Sequence, residues 1–108
     1  LRSEILFVAG LHPAARLGDL DDAAVSRLAE AAHSLFWRSV KTGGITNAAD
    51  RVQQLKQAGW RRRDYRHFVF GREDQACFVC DGRISKTTVS GRRLYHCLQC
   101  QPMYIEKN

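Results

Sequence analysis

Apolar residues recur at helical spacing at the start of the chain, at Leu1, Ile5, Val8 and Ala9. This pattern predicts a helix over residues 1–9. Gly10 supplies a C-terminal stop and Pro13 prevents any continuation, so the helix should end there.

A second and longer helical pattern predicts a helix over residues 22–42. Asp21 is placed as its N-cap, and Leu20 and Val25 have the spacing of a hydrophobic staple. Lys41 suits the last turn, and the pair Gly43-Gly44 ends the run. The apolar positions predict that one face packs on the core, formed by Val25, Leu28, Ala29, Ala32, Leu35, Phe36 and Val40.

The rest of the chain predicts shorter elements. Residues 48–58 can form a short helix, an arginine-rich connector follows, and residues 67–70 have the composition of a short strand. Two strands, over residues 84–89 and 92–96, are joined by Ser90-Gly91, a two-residue hairpin turn. The fold class expected from these patterns is mostly α with a small β hairpin.

All four cysteines fall in two Cys-x-x-Cys pairs, Cys77 with Cys80 and Cys97 with Cys100, separated by sixteen residues. Four thiolates at this spacing can surround one tetrahedral zinc ion, which would be structural because no coordination position stays open. Three alternatives remain open. Disulfides need an oxidising compartment, a thioredoxin-like pair needs a βαβ context, and an iron–sulfur cluster normally has other spacings.

Net charge is +6, and its distribution is uneven. Residues 1–50 carry five Lys/Arg against six Asp/Glu, whereas residues 51–108 carry twelve against five. A basic half suits a polyanion such as DNA, although a solvated basic surface explains the charge equally well. The predicted hairpin itself contributes four candidates for phosphate contacts, Arg83, Lys86, Arg92 and Arg93.

The sequence also excludes some classes of function. It contains no Ser/His/Asp set, phosphate loop or paired-carboxylate site, and no apolar stretch near the roughly twenty residues that cross a bilayer. A chain of 108 residues fits one domain or two small lobes. Because it starts at Leu1 within a helical pattern, we expect it to be part of a longer protein.

Taken together, these motifs resemble the C-terminal half of the formamidopyrimidine-DNA glycosylase/endonuclease VIII family. The resemblance is carried by LRSEILFVAGLHP at residues 1–13, the capped helix ending in KTGG, FVFGRE at 68–73 and the block CFVCDGRISKTTVSGRRLYHCLQCQP. Residues 45–66 fit least well, and the wording LRSEILF is closer to endonuclease VIII.

The resemblance implies a helix-two-turn-helix DNA-binding module with its connector over residues 1–66, and a four-cysteine zinc-finger hairpin over 67–108. Arg92, five residues before Cys97, matches the family's hairpin arginine that binds phosphates beside the damaged base. The partner implied is double-stranded DNA with damaged bases or abasic sites, in base excision repair of oxidised bases, above all oxidised pyrimidines.

The same resemblance implies a bifunctional DNA glycosylase/AP lyase as the full-length parent. Its proline nucleophile and adjacent glutamate lie in an N-terminal catalytic lobe that this chain lacks, so the chain alone is expected to be inactive. We expect a monomer with no membrane association, located on intracellular DNA (cytoplasm or nucleoid if bacterial). The alternative is a free-standing zinc-ribbon adaptor that binds nucleic acid or protein without catalysis.

Overall fold

The computed structural model describes residues 1–102, with every side chain among them except that of Leu17. Residues 1–102 confirm the mostly α fold class with one small hairpin, and no helix among them is long and apolar enough to span a membrane. Their regular elements, beside a 3-10 turn at Leu17–Asp19, are α1 (Arg2–Ala9), α2 (Asp22–Thr42), α3 (Ala49–Gln57), α4 (Arg62–Tyr65), β1 (Ile84–Val89) and β2 (Arg92–Cys97).

Helix α2 begins and ends at the residues that its caps predict. The Asp21 carboxylate accepts a 2.8 Å hydrogen bond from the amide of Ala24, which satisfies one of the free donors of the first turn. At the other end Gly43 takes the left-handed conformation, with a φ of 73° that side chains rarely adopt, and its backbone amide donates to the carbonyl of Ser39. The predicted span of α2 is therefore confirmed.

The face of α2 that packs on the core agrees with the predicted one only in part. The buried residues are Ala24, Ala31 and Leu35, whereas Phe36 and Val40 are more than half exposed. Alanines let α1 and the loop after it approach α2 closely, and they form a core cluster with Ala9 and Leu11. The rest of the prediction was wrong because the apolar arc of α2 is wider than the surface that α1 covers, so periodicity alone did not select the buried part.

Helix α1 lies between α2 and the hairpin and contacts both. Its C-terminal stop at Gly10 is confirmed, since this residue has a φ of 74° and donates to the carbonyls of the last turn. Two residues of the apolar pattern, Leu1 and Val8, are exposed, and the buried side of α1 consists of Ser3, Glu4, Phe7 and Ala9. Two polar residues thus face the interior.

The buried polar residue Glu4 explains why residues 67–70 are not a strand, contrary to expectation. The Glu4 carboxylate is fully buried and accepts hydrogen bonds from three successive amides, those of Phe68 (2.6 Å), Val69 (2.8 Å) and Phe70 (3.0 Å). It also accepts one from the hydroxyl of Thr46. Amides that converge on one carboxylate are not available to a neighbouring strand, and the segment forms turns instead.

Residues 47–66 form a segment whose two ends are hydrogen-bonded to each other, and we call this segment the basic lobe. Its predicted helix is confirmed as α3, and the connector after it contains the single turn α4. Hydrogen bonds close the neck of the lobe, where the amides of Thr46 and Asn47 donate to the carbonyl of Arg66 and the Asn47 side chain donates to Tyr65. Val52 and Tyr65 bury the inner side of the lobe.

Strands β1 and β2 form the predicted antiparallel hairpin, with Val89 opposite Arg92 at the turn. Ser90 and Gly91 both have positive φ, 52° and 78°, as a tight hairpin turn requires. A two-stranded sheet has little stability by itself. Here the amide of Tyr95, on the outer edge of β2, donates to the Ser3 hydroxyl of α1 at 3.0 Å.

One core cluster joins the helical and hairpin parts of the chain: Phe7, Phe68, Val69, Cys77, Ile84 and Cys97 are buried together. Residues on both sides of the expected boundary between 66 and 67 contribute to it. The division into units 1–66 and 67–108 stays a prediction, and the last six residues of the second unit lie outside the described residues.

Replacing Glu4 should destabilise the whole fold. Glu4→Gln places amide hydrogens against backbone donors in a fully buried site, and we expect a loss of about 3 kcal/mol or more in the free energy of unfolding. Urea denaturation followed by circular dichroism measures it. Glu30→Gln, on the exposed side of α2, is the matched control and should change stability by less than about 0.5 kcal/mol. Equal effects of the two substitutions would contradict the role given to Glu4.

Candidate metal centre and hairpin surface

The four cysteines converge at the base of the hairpin. Cys77 and Cys80 lie on the turn before β1, Cys97 is the last residue of β2, and Cys100 lies on the turn that follows. Their sulfur atoms all lie within 4.8 Å of one another. The Cys77 and Cys100 sulfurs are 3.8 Å apart, and those of Cys80 and Cys97 are 3.3 Å apart.

These separations fit a metal ion and do not fit disulfides. Four sulfurs placed tetrahedrally at about 2.3 Å from a zinc ion lie about 3.8 Å from each other. A disulfide requires about 2.05 Å between sulfurs, and all four thiols are free. The spacing prediction is therefore confirmed to the extent that the cysteines form one cluster able to hold a metal ion.

Backbone amides and burial act on the thiols in opposite directions. The amide of Gly82 donates to the Cys80 sulfur at 3.3 Å and, with the neighbouring thiols, lowers the pKa of Cys80. Burial raises the pKa of Cys97 and of Cys100. A divalent cation has to displace protons from these thiols, so metal binding should release protons and strengthen as pH rises.

Gln101 holds the second cysteine pair against the helical part. Its fully buried side chain accepts a 2.9 Å hydrogen bond from the amide of Cys97 and donates a 2.8 Å bond to the carbonyl of Leu11. The backbone amide of Gln101 donates a further hydrogen bond to the Cys97 carbonyl. The turn that carries Cys100 is thereby fixed to the residue that follows the C-terminal cap of α1.

Arg72 holds the first cysteine pair in a similar way. Its guanidinium is buried and donates to the carbonyls of Phe68 (2.9 Å) and Ala76 (2.7 Å). It also lies over the ring of Phe78, with its central carbon 3.7 Å from the ring centroid. Burial lowers the pKa of Arg72, although an arginine keeps its charge at neutral pH.

Two of the four basic candidates on the hairpin are engaged within the chain. Arg83 donates a 2.9 Å hydrogen bond to the carbonyl of Asp74. Lys86 forms a 3.2 Å ion pair with Glu73 at a partly exposed position. Exposed pairs of this kind are weak and exchange readily, so the pairing of Lys86 costs little to break.

The other two candidates, Arg92 and Arg93, directly follow the turn and are exposed. Adjacent strand residues point to opposite faces, and here Arg92 shares its face with the buried residues Leu94 and His96. Arg92 also lines a recess together with Arg2, the first residue of α1. The hairpin tip therefore brings one arginine next to the helical part and turns the other away from it. The DNA contacts assigned to these side chains stay predictions.

Sequence reasoning missed the residues that position the cluster: Ser3, Glu4, Arg72 and Gln101. The burial of Glu4 could in principle have been predicted, because Ser3 and Glu4 lie on the same side of α1 as the apolar residue Phe7. Arg72 and Gln101 flank the cysteine block in the sequence. Their partners are carbonyl groups, which leave no trace in a pattern of side chains.

The fold and the cluster define a helical module joined to a four-cysteine hairpin, and known proteins share this combination. No family model matches the chain. The formamidopyrimidine-DNA glycosylase of Bacillus subtilis is 31% identical over 98 residues, which cover 91% of this chain and 34% of that protein. The same enzyme of Polynucleobacter necessarius is 36% identical over 104 residues, covering 92% of this chain and 34% of the relative.

Solved structures agree with the sequence matches. The Lactococcus lactis protein Fpg, in complex with DNA that contains FAPY-dG, superposes with a TM-score of 0.73 at 22% identity and covers 94% of this chain and 35% of that one. Its complex with abasic-site DNA gives a TM-score of 0.71 at 21% identity over 92% of this chain and 34% of that one. Over more than nine tenths of its length the chain is similar to formamidopyrimidine-DNA glycosylases, and it spans about a third of the length of the relatives it matches.

Removing the metal should unfold the hairpin, because binding to such a site contributes folding free energy. We expect one zinc ion per chain by elemental analysis and a loss of near-ultraviolet dichroism after treatment with a strong chelator. Adding zinc back should restore the spectrum, with release of protons. A metal-free chain that ignores the chelator would contradict the metal site.

A methyl group at Gly82 should weaken the site. A Cβ there would lie 3.2 Å from both the Cys80 sulfur and the Gln99 side chain, closer than such contacts normally come. Gly82→Ala should therefore cost about 1–3 kcal/mol in zinc binding, measured by competition with a chromophoric chelator. Gly18→Ala is the matched control, because nothing lies within 4 Å of its Cβ position. Unchanged zinc affinity in Gly82→Ala, or an equal loss in the control, would refute the assignment.

Proposed function

We propose that this chain is the DNA-binding part of a base-excision-repair DNA glycosylase/AP lyase and that its cysteine cluster holds one structural zinc ion. The observation that carries the proposal is the continuous sequence match to formamidopyrimidine-DNA glycosylases, which extends over more than nine tenths of the chain. It includes the helices and the hairpin together.

The zinc ion would be held by Cys77, Cys80, Cys97 and Cys100 and would fix the base of the hairpin. The donor set supports zinc, since four thiolates in a closed tetrahedral arrangement are typical of structural zinc sites. The role of this chain's own residues is to set the position of the hairpin tip. Gln101 and Arg72 orient the two cysteine pairs, and Ser3 fixes the outer strand to α1.

The hairpin tip would bind the phosphate backbone of double-stranded DNA beside a damaged or abasic nucleotide. Arg92 is exposed at the tip and lines one recess with Arg2, so two cations are available where the hairpin meets α1. A guanidinium can bind a phosphate through two parallel hydrogen bonds. Extruding a base costs a few kcal/mol, and backbone contacts of this kind would hold the deformed duplex.

The chemical step would be carried out by a proline nucleophile and an adjacent glutamate. We expect both residues in a part of the polypeptide that this chain does not include. The protein would act as a monomer on intracellular DNA. The preference for oxidised pyrimidines and the closer relation to endonuclease VIII stay predictions. The Lactococcus lactis relative has been solved with FAPY-dG, with an abasic site and with an oxidised pyrimidine in its DNA, so its complexes favour no single lesion.

The alternative, a free-standing zinc-ribbon adaptor, explains fewer of the observations. A ribbon needs only the cysteine hairpin, whereas here α1 supplies contacts to the hairpin, to the basic lobe and to α2. The sequence match extends over these helices as well. A ribbon alone would also not explain why Glu4 of α1 is buried and hydrogen-bonded to residues outside the cysteine hairpin.

Replacing Arg92 should weaken DNA binding more than replacing Arg93. Arg92→Ala should cost about 1–3 kcal/mol, the scale of a lost charge-assisted hydrogen bond, and Arg93→Ala should cost less. Fluorescence anisotropy with a labelled duplex that contains an abasic-site analogue measures both. Zinc content and thermal stability should be unchanged, because an exposed arginine contributes little to folding.

Thr88→Ala, which removes an exposed side chain opposite Arg93, is the neutral control for this experiment. A larger loss in Arg93→Ala would mean that the other face of the hairpin contacts DNA. If neither arginine matters, the hairpin tip does not bind the duplex and the proposed function loses its main contact.

A further inference from the structure

The positive charge of the molecule is concentrated in the basic lobe as well as on the hairpin. Residues 47–66 contain six Lys/Arg and two Asp/Glu, whereas the other 88 residues contain eleven and nine. The lobe therefore carries a net +4 of the total +6. The hairpin segment, residues 83–97, contains four Lys/Arg and no Asp/Glu, so the basic lobe and the hairpin are equally basic.

Part of this charge serves the fold. Arg62 donates to the carbonyls of Thr42 (3.1 Å) and Gly43 (2.8 Å) at the C-terminal end of α2. Arg51 donates to the Asn47 side chain and lies near the ring of Phe78. A substitution of either arginine would disturb the structure, so neither can be used to test a binding role.

Three other cations of the lobe point into solvent. Lys56 and Arg63 are exposed and make no hydrogen bond or ion pair to any side chain in the described part of the chain. Arg61 forms a 3.8 Å pair with Asp64, but both side chains are largely exposed. Such a pair contributes little and yields readily to a phosphate.

These three cations are mounted on a rigid support. The neck of the lobe is hydrogen-bonded to itself, and Thr46 in that neck donates to Glu4. On the other side Trp60 packs against Phe78 of the first cysteine pair, with ring centroids 5.8 Å apart. A backbone that is already held in place loses little conformational freedom when a ligand binds to the side chains it carries, which favours a binding surface over a merely solvated one.

The lobe and the hairpin tip lie at opposite ends of the hairpin. The lobe contacts the cysteine end through Phe78, and each strand runs six residues from that end to the turn. Six strand residues span about 20 Å. Phosphates along one DNA strand are about 3.4 Å apart in axial rise, so the length of the hairpin corresponds to roughly six base pairs.

We infer that Lys56, Arg61 and Arg63 form a second phosphate-binding surface, which contacts the backbone of duplex DNA several base pairs from the hairpin tip. This inference rests on the proposed DNA-binding function and adds to it a contact surface outside the segments that carry the family resemblance. Its ligand is the phosphate backbone, and its contribution does not depend on base sequence.

The test compares the salt dependence of DNA binding for the wild-type chain and for Lys56→Gln/Arg61→Gln/Arg63→Gln. The probe is an undamaged, labelled duplex of about 20 base pairs, long enough to reach both surfaces. Each lost phosphate contact lowers the slope of log affinity against log salt by about one, so the triple variant should lose two to three and bind at least about tenfold more weakly at low salt.

Three controls make the result specific. Arg61→Lys/Arg63→Lys keeps the charge and should keep the slope, and Gln53→Ala, an exposed neutral position on α3, should behave as wild type. Circular dichroism and thermal denaturation check that the triple variant folds. If the triple variant does not fold, the single variant Arg63→Gln replaces it and should lower the slope by about one.

The outcomes separate this inference from the proposed function. If Arg92→Ala weakens binding while the triple variant keeps the wild-type slope, the second surface is refuted and the function of the hairpin stands. If the triple variant loses slope and Arg92→Ala does not, the second surface stands without the hairpin. A triple variant that binds DNA normally but no longer binds phosphatidylserine vesicles would overturn the inference in favour of a membrane surface.

Discussion

The rest of the structure depends on one buried carboxylate. Glu4 has no exposed surface and no arginine or lysine partner among the described residues. Burying a charge in this way is unfavourable unless hydrogen bonds compensate, and here four donors from two distant segments do so, Thr46 and the amides of residues 68–70. Because those donors lie at the neck of the basic lobe and before the first cysteine pair, one side chain of α1 fixes the position of both.

The hairpin illustrates how a marginal element becomes a rigid one. Two strands alone bury too little surface to be stable. Helix α1 satisfies the outer edge of β2 through Ser3, the end of α1 accepts from Gln101, and Phe7 packs with the buried cysteines. A metal ion at the base of the hairpin would complete a support that the helical part has already prepared. The geometry of the tip is therefore a property of the whole chain.

The basic composition of the chain also divides into two uses. Five arginines donate to backbone carbonyl groups and so hold loops and helix ends together: Arg27, Arg38, Arg62, Arg72 and Arg83. A guanidinium suits this task because it stays charged and has several donors in fixed directions. Counting arginines in a sequence therefore overstates the binding surface. The cations that can reach a polyanion are those that the fold leaves exposed, among them those at the hairpin tip and on the basic lobe.

What the sequence by itself determined was local. The caps of α2, the stop of α1 at Gly10, the turn at Ser90-Gly91 and the spacing of the four cysteines each act within a few residues, and the structure has them where the sequence predicts. The expectation of one metal cluster followed from spacing alone, because two Cys-x-x-Cys pairs on a hairpin can meet in few ways.

What only the tertiary structure decided were the contacts between segments distant in sequence. The apolar arc of α2 is broad enough to bury either of two faces, and the place of α1 selected Ala24, Ala31 and Leu35. Residues 67–70 have strand composition, but the carboxylate of Glu4, more than sixty residues away, takes their amides. Backbone amides and carbonyls are the same in every residue, so a sequence does not record which side chain will bind them. That choice is made only when the chain closes on itself.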